Sequence, residues 1–349
     1  MNILFFIISL SFLVLVHEFG HFIVAKKSGV GVEEFGIGFP PALFKFKKNG
    51  TIYSFNLLLL GGFVRLAGED DPNVKNGFLS QPVRKKILIT IAGIVMNFLL
   101  VYFLFSFGYL VGLPDYSPKV ANVTILEVLS NSPAAQAGLN LGDRLVELKT
   151  KTKTIALTDP NTVRNLFSRY AGEPVNFLVR RGDQTFWRTI TPQKTNSPNN
   201  GPLGILVGSL TIIKKSFPAN FYYGWVRTVD ITRNFITVLG SFLANLFEKG
   251  KGLNQVVGPI GIFDLYNQMR LLGLGYLFQF WALISLNLVL INIIPFPALD
   301  GWRLATYCYE GLTKRRVSAR VDTIANQVGF VLLILLFVAV TIKDIIQLK

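Results

Sequence analysis

Cysteine, histidine and charge are all scarce in this chain. A single cysteine, Cys308, occurs in 349 residues, so no disulfide can close within it. A lone thiol reads as packing filler rather than as a metal ligand. Charged residues make up 16% against 51% hydrophobic, which is more apolar than an ordinary soluble domain. No lysine or arginine precedes Lys26. Residues 1–25 therefore lack the positive start of a signal peptide, and their charges follow the apolar run instead. That first segment is expected to be retained, with its N-terminus outside. Only two histidines are present, His17 and His21, and both fall in one five-residue stretch.

What the chain has is length of apolar sequence. Runs at about 2–25, 87–113, 274–296 and 326–346 approach the roughly 20 residues that cross a bilayer. The expected fold is a polytopic α-helical membrane protein with four transmembrane helices. The net charge of +15 would suit nucleic acid, but its distribution fits the positive-inside rule better, and no nucleic-acid partner is expected. Lys26, Lys27, Lys45, Lys47, Lys48, Arg65, Lys75, Arg84, Lys85 and Lys86 fall between spans one and two. Arg303, Lys314, Arg315, Arg316 and Arg320 fall between spans three and four. Both loops are placed in the cytoplasm, and the long segment between spans two and three outside.

The segments between the spans have their own signatures. Residues 29–85 read as a cytoplasmic, membrane-associated β-region, because "FKFKKNGTIYSFN" alternates around Asn49-Gly50, a hairpin signal. The second span, assigned to 86–113, carries "AGIVMN", with Gly93 and Asn97 on one helix face. A small residue there permits close helix approach, and a buried Asn needs a partner. Residues 118–210 form an inserted α+β domain of about 90 residues, large enough for its own core. It contains "NSPAAQAGLNLGDRLVEL", a helix and two strands joined at Arg181-Gly182-Asp183, a polar loop in "KTNSPNNGP" and a closing strand in "GPLGILVG". Residues 217–250 suggest an amphipathic interfacial helix, with Arg227, Asp230 and Arg233 at three-residue spacing. The third helix is assigned to 274–300 and the fourth to 326–346.

The chemistry sits in "HEFGH". Residues four apart on a helix point the same way, so His17 and His21 can hold one Zn²⁺ while Glu18 reaches a water at the open position. Zn²⁺ brings that water's pKa towards ~7, and Glu18 accepts its proton. Ionisable groups inside a span are costly and functional by default. A third ligand is needed, and Asp300 in "NIIPFPALDGWR" is the leading candidate. Pro295 and Pro297 break the helix there, and Asp300 lies near the cytoplasmic end of its span, as His21 does in its own. Asp264 and Glu310 are the alternatives, and a plain helix cap is another reading of Asp300.

With H-E-F-G-H in a first span and N-x-x-P-x-x-x-L-D-G from Asn292 to Gly301 in a later one, the chain resembles the site-2 protease (M50) family of intramembrane zinc metalloproteases. The order of parts is similar, over nearly the whole length, to the family's bacterial regulators of sigma factors. "SNSPAAQAGLNLGDRLVEL" resembles the signature of a PDZ domain. The resemblance implies zinc bound by His17, His21 and Asp300, with Glu18 as general base and acid. It implies that Asn292 and Asn97 hold an unwound substrate backbone, and that the β-region offers it an edge strand. The implied substrates are transmembrane segments of single-span membrane proteins, such as anti-sigma factors or signal-peptide remnants. The implied location is a bacterial inner membrane, with the PDZ domain outside as a size filter or a docking site for a peptide or C-terminus. Two features depart from the pattern: there is room for one PDZ domain rather than two, and Ile94 stands where A-G-P-x-x-N has proline. A non-catalytic PDZ scaffold, a membrane-anchored protease with a soluble site, and a transporter are the competing classes.

Overall fold

A computed structural model describes residues 2–69, 71, 73–116, 122–129, 131–150, 152–182, 184–194, 201–249 and 256–347. Residues 118–121, Ser130, Asp183 and most of the "KTNSPNNGP" loop, which belong to the expected inserted domain, lie outside the described residues. The contacts divide the chain into two units.

The first unit comprises residues 1–107, 221–263 and 280–344. Among the described residues four helices are long and apolar enough to cross a membrane: α1 (Asn2–Lys27), α2 (Val83–Val111), α7 (Leu274–Ile293) and α9 (Ala319–Gln347). Their outer faces are apolar. On α9, Leu332, Leu335 and Phe337 are exposed, which suits lipid and would be a liability in water. Three helices differ from expectation at their boundaries. α2 starts at Val83 and takes in Arg84, Lys85 and Lys86; it ends at Val111 because Gly112 adopts a positive φ of 110° and residues 113–116 become a strand. α9 starts at Ala319, seven residues early, because Ser318 accepts the Val321 N–H and caps it. The third span is not one helix to residue 300. It stops at Ile293, Pro295 and Pro297 follow, Ala298 sits at φ 77°, and a separate α8 (Asp300–Thr313) begins. α5 (Ala219–Lys249) fills the place of the amphipathic helix and packs beside α2, where Gly224 meets Ser106 and Trp225 lies against Phe98 and Tyr102.

The β-region is one long hairpin, β1 (Val32–Lys48) and β2 (Thr51–Leu66), turning at Asn49-Gly50. Each strand bends back on itself, so residues 34–37 pair both with 52–55 and with 62–65. The stretch from Asn56 to Leu66, which the alternation leaves as a separate extended segment, is thus the second half of β2. Its glycines lie on α1: Gly61 faces Val14 and Gly62 faces Leu15.

The second unit comprises residues 108–220, 264–279 and 345–349. Its main sheet runs β8-β7-β5-β4-β9, with β6 (Thr154–Ala156) also on β5. The strands are β4 (Val123–Val128), β5 (Arg144–Lys149), β7 (Val175–Arg181), β8 (Gln184–Ile190) and β9 (Ile205–Gly208). A short ladder of β3 (Leu113–Tyr116) and β10 (Leu210–Ile213) joins the ends of the insertion; no strong alternation marks it in the sequence. α3 (Pro133–Gln136) is capped by Ser132, and α4 (Pro160–Arg169) by Asp159. Val163 and Phe167 of α4, one turn apart, cover Phe177 and Val179 of the sheet. Asp143 is fully buried and accepts two 2.7 Å bonds from Arg181, whose guanidinium also reaches the Gly138 carbonyl. The Asp143 carboxylate in turn lifts the Arg181 pKa, against the opposing effect of burial.

Asp143→Ala should therefore loosen this sheet. It strands the guanidinium and the Asn140 N–H, which Asp143 also accepts. Discounting for a half-exposed Arg181, the loss is about 1–3 kcal/mol, so amide exchange in β5 and β7 should quicken roughly 5- to 150-fold.

Candidate metal centre

His17 and His21 sit one turn apart on the buried face of α1, each 8% exposed, with their Nε2 atoms 3.1 Å apart. Glycines make the room. A Cβ on Gly20 would overlap the Ala92 carbonyl of α2, and a Cβ on Gly93 would overlap His21 Nε2 and lie 2.8 Å from His17 Cε1. The imidazoles therefore occupy the space that a side chain at position 93 would take. On its far side, the His21 ring places Nδ1 2.8 Å from the Ile89 carbonyl. A carbonyl can only accept, so Nδ1 carries a proton, and in the neutral ring Nε2 presents a lone pair.

Asp300 completes the group. Its Oδ2 lies 2.9 Å from His17 Nε2 and 3.3 Å from His21 Nε2, and the three ligand atoms lie within 4.8 Å of one another. Ligands ~2.1 Å from one tetrahedral ion lie roughly 3.4 Å apart, close to this spacing. With His21 neutral, its Nε2 and the carboxylate are both acceptors, and a cation between them satisfies both. Two imidazoles and one carboxylate fit Zn²⁺ and leave the fourth position that catalytic zinc sites keep open.

The break after α7 aims Asp300. Gly301 packs on the Ile293 and Ile294 carbonyls, where any Cβ would collide. From α9, Asn326 Oδ1 accepts the Ala298 N–H at 2.8 Å, Asp322 accepts the Trp302 indole N–H at 2.7 Å, and Gly329 lies against Pro297. Sequence reading missed Asn326, Asp322 and Gly329. For Asn326 the available signal was a polar residue at the start of an apolar run, akin to the one that marked Asn97.

Glu18, next to His17 on α1, accepts the Val64 N–H of β2 at 3.2 Å. With His21 and Asp300 it lines a cavity of about 970 Å³, whose other walls carry Glu69, Lys86, Arg303 and Glu310. Lys86 is fully buried and pairs with Glu310, over the Tyr307 ring. Burial opposes ionisation of Glu310, but Lys86 and Arg316 outweigh it and hold its carboxyl below the usual range. Burial pushes the Tyr307 hydroxyl up to about 12.

The other expected site residues lie outside the three-ligand cluster. Asn97 is fully buried, one turn beyond Gly93, and its side-chain amide has no hydrogen-bond partner among the described residues. Its backbone carbonyl accepts Ser285 Oγ of α7. Asn292 is half-buried in the last turn of α7. Neither alternative ligand joins the cluster: Asp264 accepts from Gln268, and Glu310 is held by Lys86 and Arg316.

Sequence comparison decides the family, because the profile of Peptidase family M50 matches residues 5–336. The chain belongs to Peptidase family M50. This is the site-2 protease family, so the chain is a membrane metallopeptidase. It is 28% identical over 423 residues to the "Regulator of sigma-W protease RasP" of Bacillus subtilis, covering 97% of each chain. It is also 28% identical to the "Zinc metalloprotease RasP" of Geobacillus kaustophilus, over 99% of this chain and 97% of that one. A relative from Clostridium perfringens is 33% identical over 99% of both chains.

The glycine cradle makes a direct prediction for this M50 peptidase. Gly93→Ala should weaken metal binding about 10- to 100-fold, the range seen when groups supporting a ligand are lost. Metal analysis of purified protein would check it. Gly240→Ala, where a Cβ meets open space, should bind as the parent does.

Proposed function

We propose that this chain is an intramembrane zinc endopeptidase that cuts transmembrane segments of single-span membrane proteins. The observation that carries the reading is the convergence of His17, His21 and Asp300 from helices 283 residues apart in sequence, beside Glu18 and a charged cavity. The name of the Bacillus subtilis relative points to regulators of sigma factors, so anti-sigma factors are the proposed substrate class, with signal-peptide remnants as another.

In this reading His17, His21 and Asp300 hold the zinc, which when bound supplies a Lewis acid beside the scissile carbonyl. The chain's own residues do the rest. Glu18 takes a proton from the attacking water at its carboxylate and returns it to the leaving amine. The Ile89 carbonyl keeps His21 in the tautomer that ligates. Asn97, buried with its amide unpaired, offers a donor and an acceptor to an unwound substrate backbone, and Asn292 of N-x-x-P acts beside it. The second half of β2, next to α1, presents the edge to which a substrate strand adds; stretching a helix this way exposes its peptide bonds. The inserted sheet domain, residues 118–210, is read as a single PDZ domain on the extracytoplasmic side of a bacterial inner membrane. There it filters substrates by size or docks a peptide C-terminus. The basic loops place the active site near the cytoplasmic face.

Glu18→Gln should keep about one zinc per chain and lose cleavage of a model transmembrane peptide by roughly 10²–10⁴-fold. Equal cleavage by this variant would overturn the mechanism. Asp300→Ala should lose most of the metal, and parent-like zinc affinity would remove Asp300 from the ligand set.

A further inference from the structure

The second unit contains a cavity that the peptidase chemistry does not use. It measures about 420 Å³ and is walled by residues of β5 and β7 and by α6 (Pro259–Leu272) with the start of α7. Arg144 and Arg180 both line it, and they face each other directly across the β5–β7 ladder. Like charges directly opposite on a sheet repel, and an acidic neighbour ordinarily offsets them. Among the described residues no aspartate or glutamate lines this cavity. Neither arginine has an ion pair or a hydrogen-bonded side-chain partner among the described residues. Arg181 also lines the cavity, but Asp143 already neutralises it.

The floor is apolar. Leu210, Ile212, Leu271 and Leu272 form it, and Leu271 and Ile212 are 74% and 49% exposed. Gly142, at φ 86°, lies so close to Leu272 that any Cβ would overlap it, which closes the turn before β5 onto α6. Tyr276 completes the rim in the first turn of α7, a candidate membrane span beginning at Leu274. The cavity therefore opens at the start of a membrane-crossing helix, the level at which lipid headgroups lie. Planar guanidinium groups match phosphate oxygens, and exposed leucine and isoleucine match the first methylenes of acyl chains.

We propose that this cavity binds the phosphodiester of an anionic phospholipid, with Arg144 and Arg180 on the phosphate and Ile212 and Leu271 against the upper acyl chain. Such a lipid cancels the repulsion between the two arginines and ties the sheet to the α6–α7 turn. The inference does not rest on peptidase activity.

The test uses the full chain in detergent, titrated with phosphatidylglycerol, phosphatidylcholine or inorganic phosphate and read by native mass spectrometry. The parent should retain phosphatidylglycerol about tenfold more tightly than phosphatidylcholine. The Arg144→Gln/Arg180→Gln double variant should lose that preference, and Lys149→Gln, at the far end of β5, should keep it. Arg144→Lys/Arg180→Lys, which retains charge, should keep part of it. An unchanged preference in the glutamine pair, or a lysine pair no better than the glutamine pair, would overturn the proposal. Displacement of phosphatidylglycerol by low-millimolar inorganic phosphate would also overturn it, by assigning the cavity to a soluble anion.

Discussion

The candidate metal centre depends on the absence of one side chain. Gly93 of α2 leaves a hollow against α1, and the imidazoles of His17 and His21 fill it. Two polar rings could not otherwise be buried at 8% exposure inside an apolar helix pair. Gly20 supports the same contact from the other helix by letting α1 meet the backbone of α2 at Ala92. In lipid, where apolar burial gives no drive for helices to associate, small residues gain their effect through such close packing. Here the packing also fixes the chemistry. The approach that brings Gly93 to the rings also brings the Ile89 carbonyl to His21 Nδ1, which sets the tautomer.

Asp300 meets the histidines because a helix fails. Pro295 and Pro297 end α7, the chain turns through Ala298, and α8 restarts at Asp300. A break of this kind exposes backbone polar groups, which at membrane depth must be satisfied by protein or by a wet cavity. α9 supplies part of that, since Asn326 accepts the Ala298 N–H and Gly329 seats Pro297. The charged cavity beside Glu18 and Asp300 supplies the rest. Polar groups in this region support one another, and Lys86, buried within α2, is tolerable because Glu310 of α8 meets it there.

Much of this was legible in the sequence, in proportion to how local each signal was. The four apolar runs, the Asn49-Gly50 turn and the i, i+4 histidines are short-range patterns, and the helices, the hairpin and the paired rings follow them. Asp300 was legible as an acidic residue beside two helix-breaking prolines. The positions of helix ends were less so. Nothing in the alternation shows that Arg84 and Lys85 join α2 ahead of its assigned start at residue 86, because their long stems allow it. The bent course of β1 and β2 was hidden as well. Residues 34–37 pair with two separate stretches of β2, and such doubled pairing leaves no periodic trace. Asn326 and Asp322 escaped because their partners are backbone and indole groups supplied by a distant break.

The contact between Glu18 and Val64 ties the β-region to the candidate centre. β2 is fastened to α1 at several points. Ser11 Oγ bonds the Leu59 carbonyl and accepts the Gly61 N–H, Gly61 and Gly62 lie on Val14 and Leu15, and Val64 donates to Glu18. These contacts follow α1 along two turns, towards the histidines. A partly buried carboxylate needs a donor to fix its direction, and here the Val64 backbone N–H provides it. Any shift of β2 along α1 would therefore be felt at Glu18 before any other member of the site. Gly61 and Gly62 let the strand lie close on α1, since a Cβ at either position would come within 3.2 Å of Val14 or Leu15.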